Sequence, residues 1–192
     1  MIKRILTAAF LLAGLQAEAK TIDVPVIGMG EFQGTIMGEV GTMGLQWKVG
    51  ESADYKMEAG FMSGTVVMSV REETTQGFWM VQNMDLGFMG KQVVEAHIDK
   101  NTGKVLELVV NGKKENPQPP GQMEEEEMRE ERITVTAGTF PCIYLRIKDV
   151  DKDETSEVWL NPLVVPMAGI IKQVSPGPMG EVTLELTGFN KL

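Results

Sequence analysis

The 192-residue sequence has few of the side chains on which most enzymes and metal sites depend. Its one cysteine, Cys142, and one histidine, His97, exclude an intrachain disulfide and give no Cys/His set with metal-ligand spacing. No G-x-S-x-G or H-E-x-x-H motif occurs. We therefore expect a protein that is not an enzyme, with no catalytic residues, no metal ligands and no cofactor. A carboxylate pair of the glycosidase type needs no motif, so that alternative stays open.

Both rare side chains have a simple structural interpretation. Phe140, Pro141 and Tyr144 surround Cys142 in the sequence, which favours a buried structural thiol, because a nucleophilic cysteine needs a base or cation nearby. His97 alternates with apolar neighbours, and so we expect it on the solvated face of a strand with Glu95.

Long hydrophobic runs are missing except at the start of the chain. Residues 1–19 have the features of a secretory signal peptide: two basic residues, an apolar stretch too short to span a bilayer, and Ala17-Glu18-Ala19 as a cleavage site. No cysteine follows that site, so a lipoprotein anchor is not indicated. We expect residues 20–192 to form one β-domain, periplasmic or secreted, with no transmembrane span in the mature chain.

Positive charge is also scarce. The net charge is −9, and it becomes −10 once the signal peptide is removed with its two basic residues and one acidic residue. A surface this acidic repels phosphate backbones, so we expect no nucleic-acid partner.

What the chain does contain is a series of short segments with β-strand character, separated by Gly, Thr, Asn and Ser. No helical period lies between them, which favours an antiparallel sheet. Alternation is clearest from Phe140 to Val150, which predicts Ile143, Leu145 and Ile147 on one face. The predicted strands cover residues 35–40, 45–50, 53–61, 65–71, 77–86, 91–98, 104–110, 140–150, 157–160, 170–174 and 182–186.

The fold class we predict is therefore mainly β: a single antiparallel curved sheet or incompletely closed β-barrel. Residues 111–132 are predicted to be a Pro/Glu-rich insertion. Within it, the acidic segment Met123–Arg132 is predicted to be either a solvated insertion or a short helix near 122–132, with a lid or a contact with a basic partner as its functional alternatives.

Three motifs in the last third of the chain carry a family resemblance. They are T-V-x-A-G-T-F-x-C at 134–142, E-x-W-x-x-P at 157–162 and V-P-x-x-G-x-x-K at 165–172. This part resembles uncharacterised exported bacterial proteins, which are similar in turn to the half-open β-barrels of the lipoprotein-localisation carriers. The resemblance implies a fold and a compartment, and it transfers no catalytic residue.

Methionine is unusually frequent, with 14 in the chain. Strand alternation places several on inward faces, where flexible thioethers suit an apolar ligand. We therefore hypothesise a carrier or binder of a lipid, an acyl chain or a lipoprotein, with a cavity lined by Met57, Met68, Met80, Met84 and Phe88.

Two other hypotheses remain open. Methionine also fills irregular cores, and a filled interior would favour a structural or interaction module of the envelope with a protein partner. Thioethers also bind Cu(I), and Met29, Met37 and Met43 lie in one Gly-rich stretch, although no histidine is near them.

Overall fold

The computed structural model describes residues 45–117, 122–177 and 180–192. In these ranges the chain forms one antiparallel sheet of eleven strands that does not close, with no α-helix, which confirms the predicted fold class. The strands are β1 (Ser52–Ala59), β2 (Met62–Glu73), β3 (Gly77–Asp85), β4 (Lys91–Asp99), β5 (Val105–Val110), β6 (Lys113–Glu115), β7 (Met123–Val135), β8 (Gly138–Asp149), β9 (Glu154–Leu160), β10 (Ile170–Gly177) and β11 (Gly180–Asn190), with a 3-10 turn at Gly87–Met89.

The sheet consists of two meanders that meet at the first and last strands. Its order is β6-β5-β4-β3-β2-β1-β11-β10-β9-β8-β7. Strand β1 pairs with β11 from Ser52↔Asn190 to Ala59↔Val182. The edge strands are therefore β6 and β7, although these two strands are consecutive in the chain.

This order requires the sheet to curl. Glu115 ends β6 and Met123 begins β7, so the two edges are joined by a connection that reaches about 29 Å at full extension. Eleven strands lying flat would place those edges about 48 Å apart. The sheet is therefore curved, with a gap between the two edge strands, and one of its faces encloses most of the apolar core.

A second long-range contact joins the turn between β7 and β8 to β11. The turn between β7 and β8 reaches β11, where the amide of Ala137 donates to the carbonyl of Leu186 at 3.1 Å. The amide and hydroxyl of Thr136 both donate to Glu185 Oε1, at 3.0 and 2.7 Å.

We call the enclosed side the buried face. It carries Ala53, Tyr55 and Met57 of β1, and residues directly paired with these share it. The opposite side is the outer face, with Lys56 and Glu58 on β1. Alternation with a period of two assigns most side chains to one of these faces, and the buried face contributes most of the apolar core.

Several predicted segments differ from the structure. Residues 45–50 are not a strand, and the acidic segment is neither a helix nor an unstructured insertion but part of β7, which pairs with β8 from Met123↔Asp149 to Val135↔Gly138. Residues 1–19, the strand predicted at 35–40 and the three methionines of the copper hypothesis lie outside the described residues.

The alternation predicted for β8 holds only in its second half. Leu145 and Ile147 are buried as expected, but Ile143 is 41% exposed. Cys142 and Tyr144 are buried even though they point to the other face, because neighbouring side chains cover that face as well.

Candidate functional site

The methionines of the cavity hypothesis lie in the core of the buried face. Met57, Met68, Met80 and Met84 are 0–3% exposed and belong to one hydrophobic cluster. Alternation along β1, β2 and β3 places them there, and Val66 and Val70 flank Met68 on the same face. In the described part of the chain these side chains pack against other core residues. Whether any of them contacts a ligand stays a prediction.

Phe88 does not join them, so the prediction that it shares their face was wrong. Strand β3 ends at Asp85, and Phe88 lies in the following 3-10 turn with 79% of its surface exposed. Phe61, in the turn between β1 and β2, is 78% exposed. Because both turns lie at the same end of the antiparallel sheet, two phenylalanines project into solvent at that end.

Three glutamines on the buried face were missed by the sequence analysis. Gln82, Gln92 and Gln173 are 0%, 3% and 7% exposed, and their Oε1 atoms have no hydrogen-bond partner among the described residues. The Nε2 atom of Gln82 donates to Met84 Sδ at 3.5 Å. The signal available in the sequence was a single amide at an inward position of an apolar strand, as at Phe78-x-Met80-x-Gln82-x-Met84.

Some apolar side chains of the buried face are exposed near the edge strand β7. Met128 on β7 is 54% exposed, and its partner Leu145 on β8 is 4% exposed. Ile143, also on the buried face of β8, is 41% exposed. Apolar side chains are therefore accessible at the β7 edge of this face, whereas the centre of the face is filled.

The outer face carries a row of paired side chains that anchors β7. Arg129, Tyr144, Trp159 and Lys172 are direct neighbours on β7, β8, β9 and β10. The Arg129 guanidinium carbon lies 3.6 Å from the Tyr144 ring centroid, the Tyr144 and Trp159 centroids are 5.1 Å apart, and Lys172 Nζ is 5.2 Å from the Trp159 ring. Such cross-strand pairs stabilise a sheet, and this row explains why an acidic segment is held as a strand.

His97 lies where alternation predicts, on the outer face with Glu95, while Val94, Ala96 and Ile98 are buried. Its ring stacks on Trp79 with centroids 5.1 Å apart, and Thr74 Oγ1 lies 2.9 Å from its Nε2 atom. The guanidinium of Arg71 lies over the Trp79 ring and forms an ion pair with Glu95. The imidazole is thus held by structural contacts.

The thiol of Cys142 is not activated. It is 7% exposed, and its Sγ donates to the carbonyl of Glu131 at 3.3 Å. Burial raises the pKa of the Cys142 thiol, and the carboxylate of Glu131 raises it further. A nucleophilic cysteine needs the opposite shift. Among the described residues no group of three His, Cys, Asp or Glu side chains is arranged to hold a metal ion.

Two shallow pockets on the surface have volumes of about 290 and 270 Å³. The first lies at the β10–β11 hairpin, beside Ser175 and Glu181. The second lies over β2, β3 and β4, and Met84 is the only residue of the predicted cavity that lines either of them.

No protein-family model matches the chain, and no curated protein matches it significantly. Among solved structures it is similar to one described as a "putative exported protein with YmcC-like fold" from Bacteroides fragilis. The two chains are 13% identical, the match covers 77% of this chain and 99% of the other, and the TM-score is 0.40. No helix in the described ranges has the length and apolar character needed to cross a membrane.

Proposed function

We propose that this protein is an exported, non-catalytic interaction module of the bacterial envelope, which acts through its surface. The observation that supports this proposal is the packing of the interior. Met57, Met68, Met80 and Met84 occupy the position where a carrier would hold its ligand, and they are 0–3% exposed. Native interiors are close-packed, so an acyl chain at that place would have to displace them.

The surface offers a place for a partner at one end of the sheet. Phe61 and Phe88 are each more than three-quarters exposed on turns at that end. Aromatic side chains contribute a large share of the binding energy at protein–protein interfaces. The partner class we propose is a protein of the envelope.

Photo-crosslinking in the host tests this proposal. A photoreactive amino acid is placed at Phe61, at Phe88 and, as a control at the opposite end of the sheet, at the exposed Asn101. We expect a discrete crosslinked protein from the first two positions and none from Asn101. Equal crosslinking from all three positions, or none from any, would contradict the proposal.

A second candidate is a carrier of an amphipathic ligand, and the buried glutamines favour it. An acceptor that is buried without a donor is costly, and the polar group of a ligand is one way to satisfy it. Met128 and Ile143 would give such a ligand an apolar contact at the β7 edge of the buried face.

Native mass spectrometry separates the two candidates. The mature protein is purified from its own host, and its mass is compared before and after unfolding and lipid extraction. The interaction module predicts the mass of the polypeptide alone and no uptake of a fluorescent fatty acid. A stoichiometric acyl species that survives gel filtration would establish the carrier instead, and a bound copper mass would support the thioether hypothesis.

A further inference from the structure

The free edge of β7 is the longest accessible edge in the described sheet. Met123–Val135 pairs with β8 on one side, and no described strand pairs with its other side. The backbone groups on that side have no strand partner among the described residues, and the other edge strand, Lys113–Glu115, has only three residues. A row of unpaired amides and carbonyls is a template for one further strand.

The side chains beside this edge specify a particular kind of strand. On the buried-face side, Met128 is exposed between Glu125 and Glu130. Neither of these glutamates has an ion pair within the described ranges. In contrast, Glu126 pairs with Arg146, and Glu127 and Glu131 pair with Arg129. An added strand would meet an apolar position between two unpaired carboxylates.

Charge disfavours a second copy of this chain as the occupant of the edge. Pairing of β7 with β7 of a second copy would bring two strands together that each carry six Glu and two Arg. Residues 20–44 have Lys20 as their single basic residue, so they offer no pair of cations to the carboxylates of this edge. Like charges opposite each other destabilise a strand pair.

We propose that β7 binds an extended basic segment of the partner protein as an added strand, with basic, apolar and basic side chains at alternate positions. This inference rests on the proposed function, because it assigns a chemistry to the partner of the interaction module. Addition of a strand supplies affinity through main-chain hydrogen bonds and specificity through alternate side chains. Opposite charge also accelerates the encounter.

The probe is the peptide acetyl-Lys-Thr-Lys-Thr-Val-Thr-Lys-Thr-Lys-amide, measured by calorimetry at low ionic strength with the mature protein. A control peptide has the same side chains with N-methyl groups at alternate residues, which removes its ability to pair as a strand and keeps its charge. The protein variants are Glu125→Gln with Glu130→Gln, and Glu72→Gln with Glu73→Gln as a control of equal charge change on exposed positions of β2.

We expect the probe to bind at one site, to protect the amides of β7 from hydrogen exchange, and to bind about tenfold more weakly when Glu125 and Glu130 are changed. The β2 control should change the affinity by less than about twofold. The N-methylated peptide should not bind.

Equal binding of the N-methylated peptide would overturn the proposal, since it would show charge attraction without strand pairing. Equal weakening by both pairs of substitutions would overturn it in the same way. Failure of the probe together with concentration-dependent dimerisation would show that the edge pairs with a second copy of this chain. Crosslinks from Phe61 and Phe88 would persist in either case if the interaction module is right and only the β7 inference is wrong.

Discussion

The side-chain amide of Gln82 is fully buried and its hydrogen bonding is incomplete. Its nitrogen donates to a thioether sulfur, a weak acceptor, and its oxygen has no partner among the described residues. Replacing such a group by an apolar one of similar shape is close to neutral or stabilising. We expect Gln82→Met to leave the free energy of unfolding unchanged or to raise it by about 1 kcal/mol in urea denaturation.

Met80→Ala is the control at the neighbouring inward position. It should lower the free energy of unfolding by about 2–5 kcal/mol, because it opens a cavity in the core. A comparable loss in Gln82→Met would show that the amide oxygen has a donor in solution, and this would favour the carrier.

Tyr55 gives the protein a predictable sensitivity to alkali. Its hydroxyl donates to the carbonyl of Ile170 at 3.1 Å. Burial raises the pKa of the Tyr55 phenol, and the charge of Asp54 raises it further. The pKa of Tyr55 in the folded protein therefore lies above the unfolded value of about 10. The contribution of the neutral phenol to the free energy of unfolding is complete below about pH 10, and it is lost as the pH rises towards the folded pKa.

The two tyrosines of the chain can be separated in one experiment. In Tyr144→Phe, Tyr55 alone contributes phenolate absorbance, and we expect this signal to appear above pH 10 together with unfolding. Tyr55→Phe should cost about 1 kcal/mol at neutral pH and show a weaker loss of stability above pH 10. Reversible titration of Tyr55 near pH 10 in the folded protein would contradict the prediction.

Residue burial was predictable only where the ends of the strands were also known. Alternation identified the faces of Met57, Met68, Met80 and Met84. The same reasoning failed at Phe88, since Gly87 adopts a φ of +62° and begins a turn that breaks the period. The missing hydrogen bonds of Gln82, Gln92 and Gln173 were not predicted. Alternation identifies the face on which a side chain lies, but it does not show whether a hydrogen-bond donor lies opposite.

At the scale of elements, the carboxylate of Glu185 on β11 holds the turn of the β7–β8 hairpin through hydrogen bonds. Thr136 donates to Glu185 through its hydroxyl and its amide, and these bonds lower the pKa of Glu185. A lowered pKa gives stability that is present above the unfolded value of about 4.3 and is lost as the pH falls through the folded value. This contact should therefore persist in mild acid and be lost only at a pH below the range in which a free glutamate titrates.

Thr136→Ala should reduce the protection of amides 136–138 against hydrogen exchange at neutral pH, at a cost of about 1 kcal/mol. Thr65→Ala, on an exposed position of β2, serves as the control and should not change that protection. If protection of the turn is unchanged in Thr136→Ala, the hairpin is held by its backbone contact with Leu186 instead.

The sequence did not reveal β7 as a strand because its composition opposes one. Glutamate is depleted in strands, and the segment has six of them. Its conformation depends on partners that lie elsewhere in the chain, chiefly the ladder with β8 and the ring contacts from Arg129 to Trp159. Strand β8, with its alternating apolar residues, was predicted without knowledge of any partner.

For the whole molecule, the class of fold was predictable and the order of strands was not. Alternation and turn residues indicate hairpins between neighbours, which accounts for both meanders. No local sequence pattern indicates that Tyr55 pairs with Leu186, or that β6 and β7 lie at opposite edges of the sheet. The curl of the sheet, the gap and the exposed edge of β7 all follow from that order.

The pairing of β1 with β11 also has a consequence for how the chain folds during its synthesis. The centre of the sheet joins residues 52–59 to residues 182–190, so the most distant described strands must meet before the two meanders share one core. Contacts of this sequence separation form slowly. A ribosome that releases the chain from its N-terminus delivers β11 after the other described strands, and until then one side of β1 remains an unpaired edge. The β1–β6 meander can pair locally during this time, but the two meanders cannot share one core until β11 has been made.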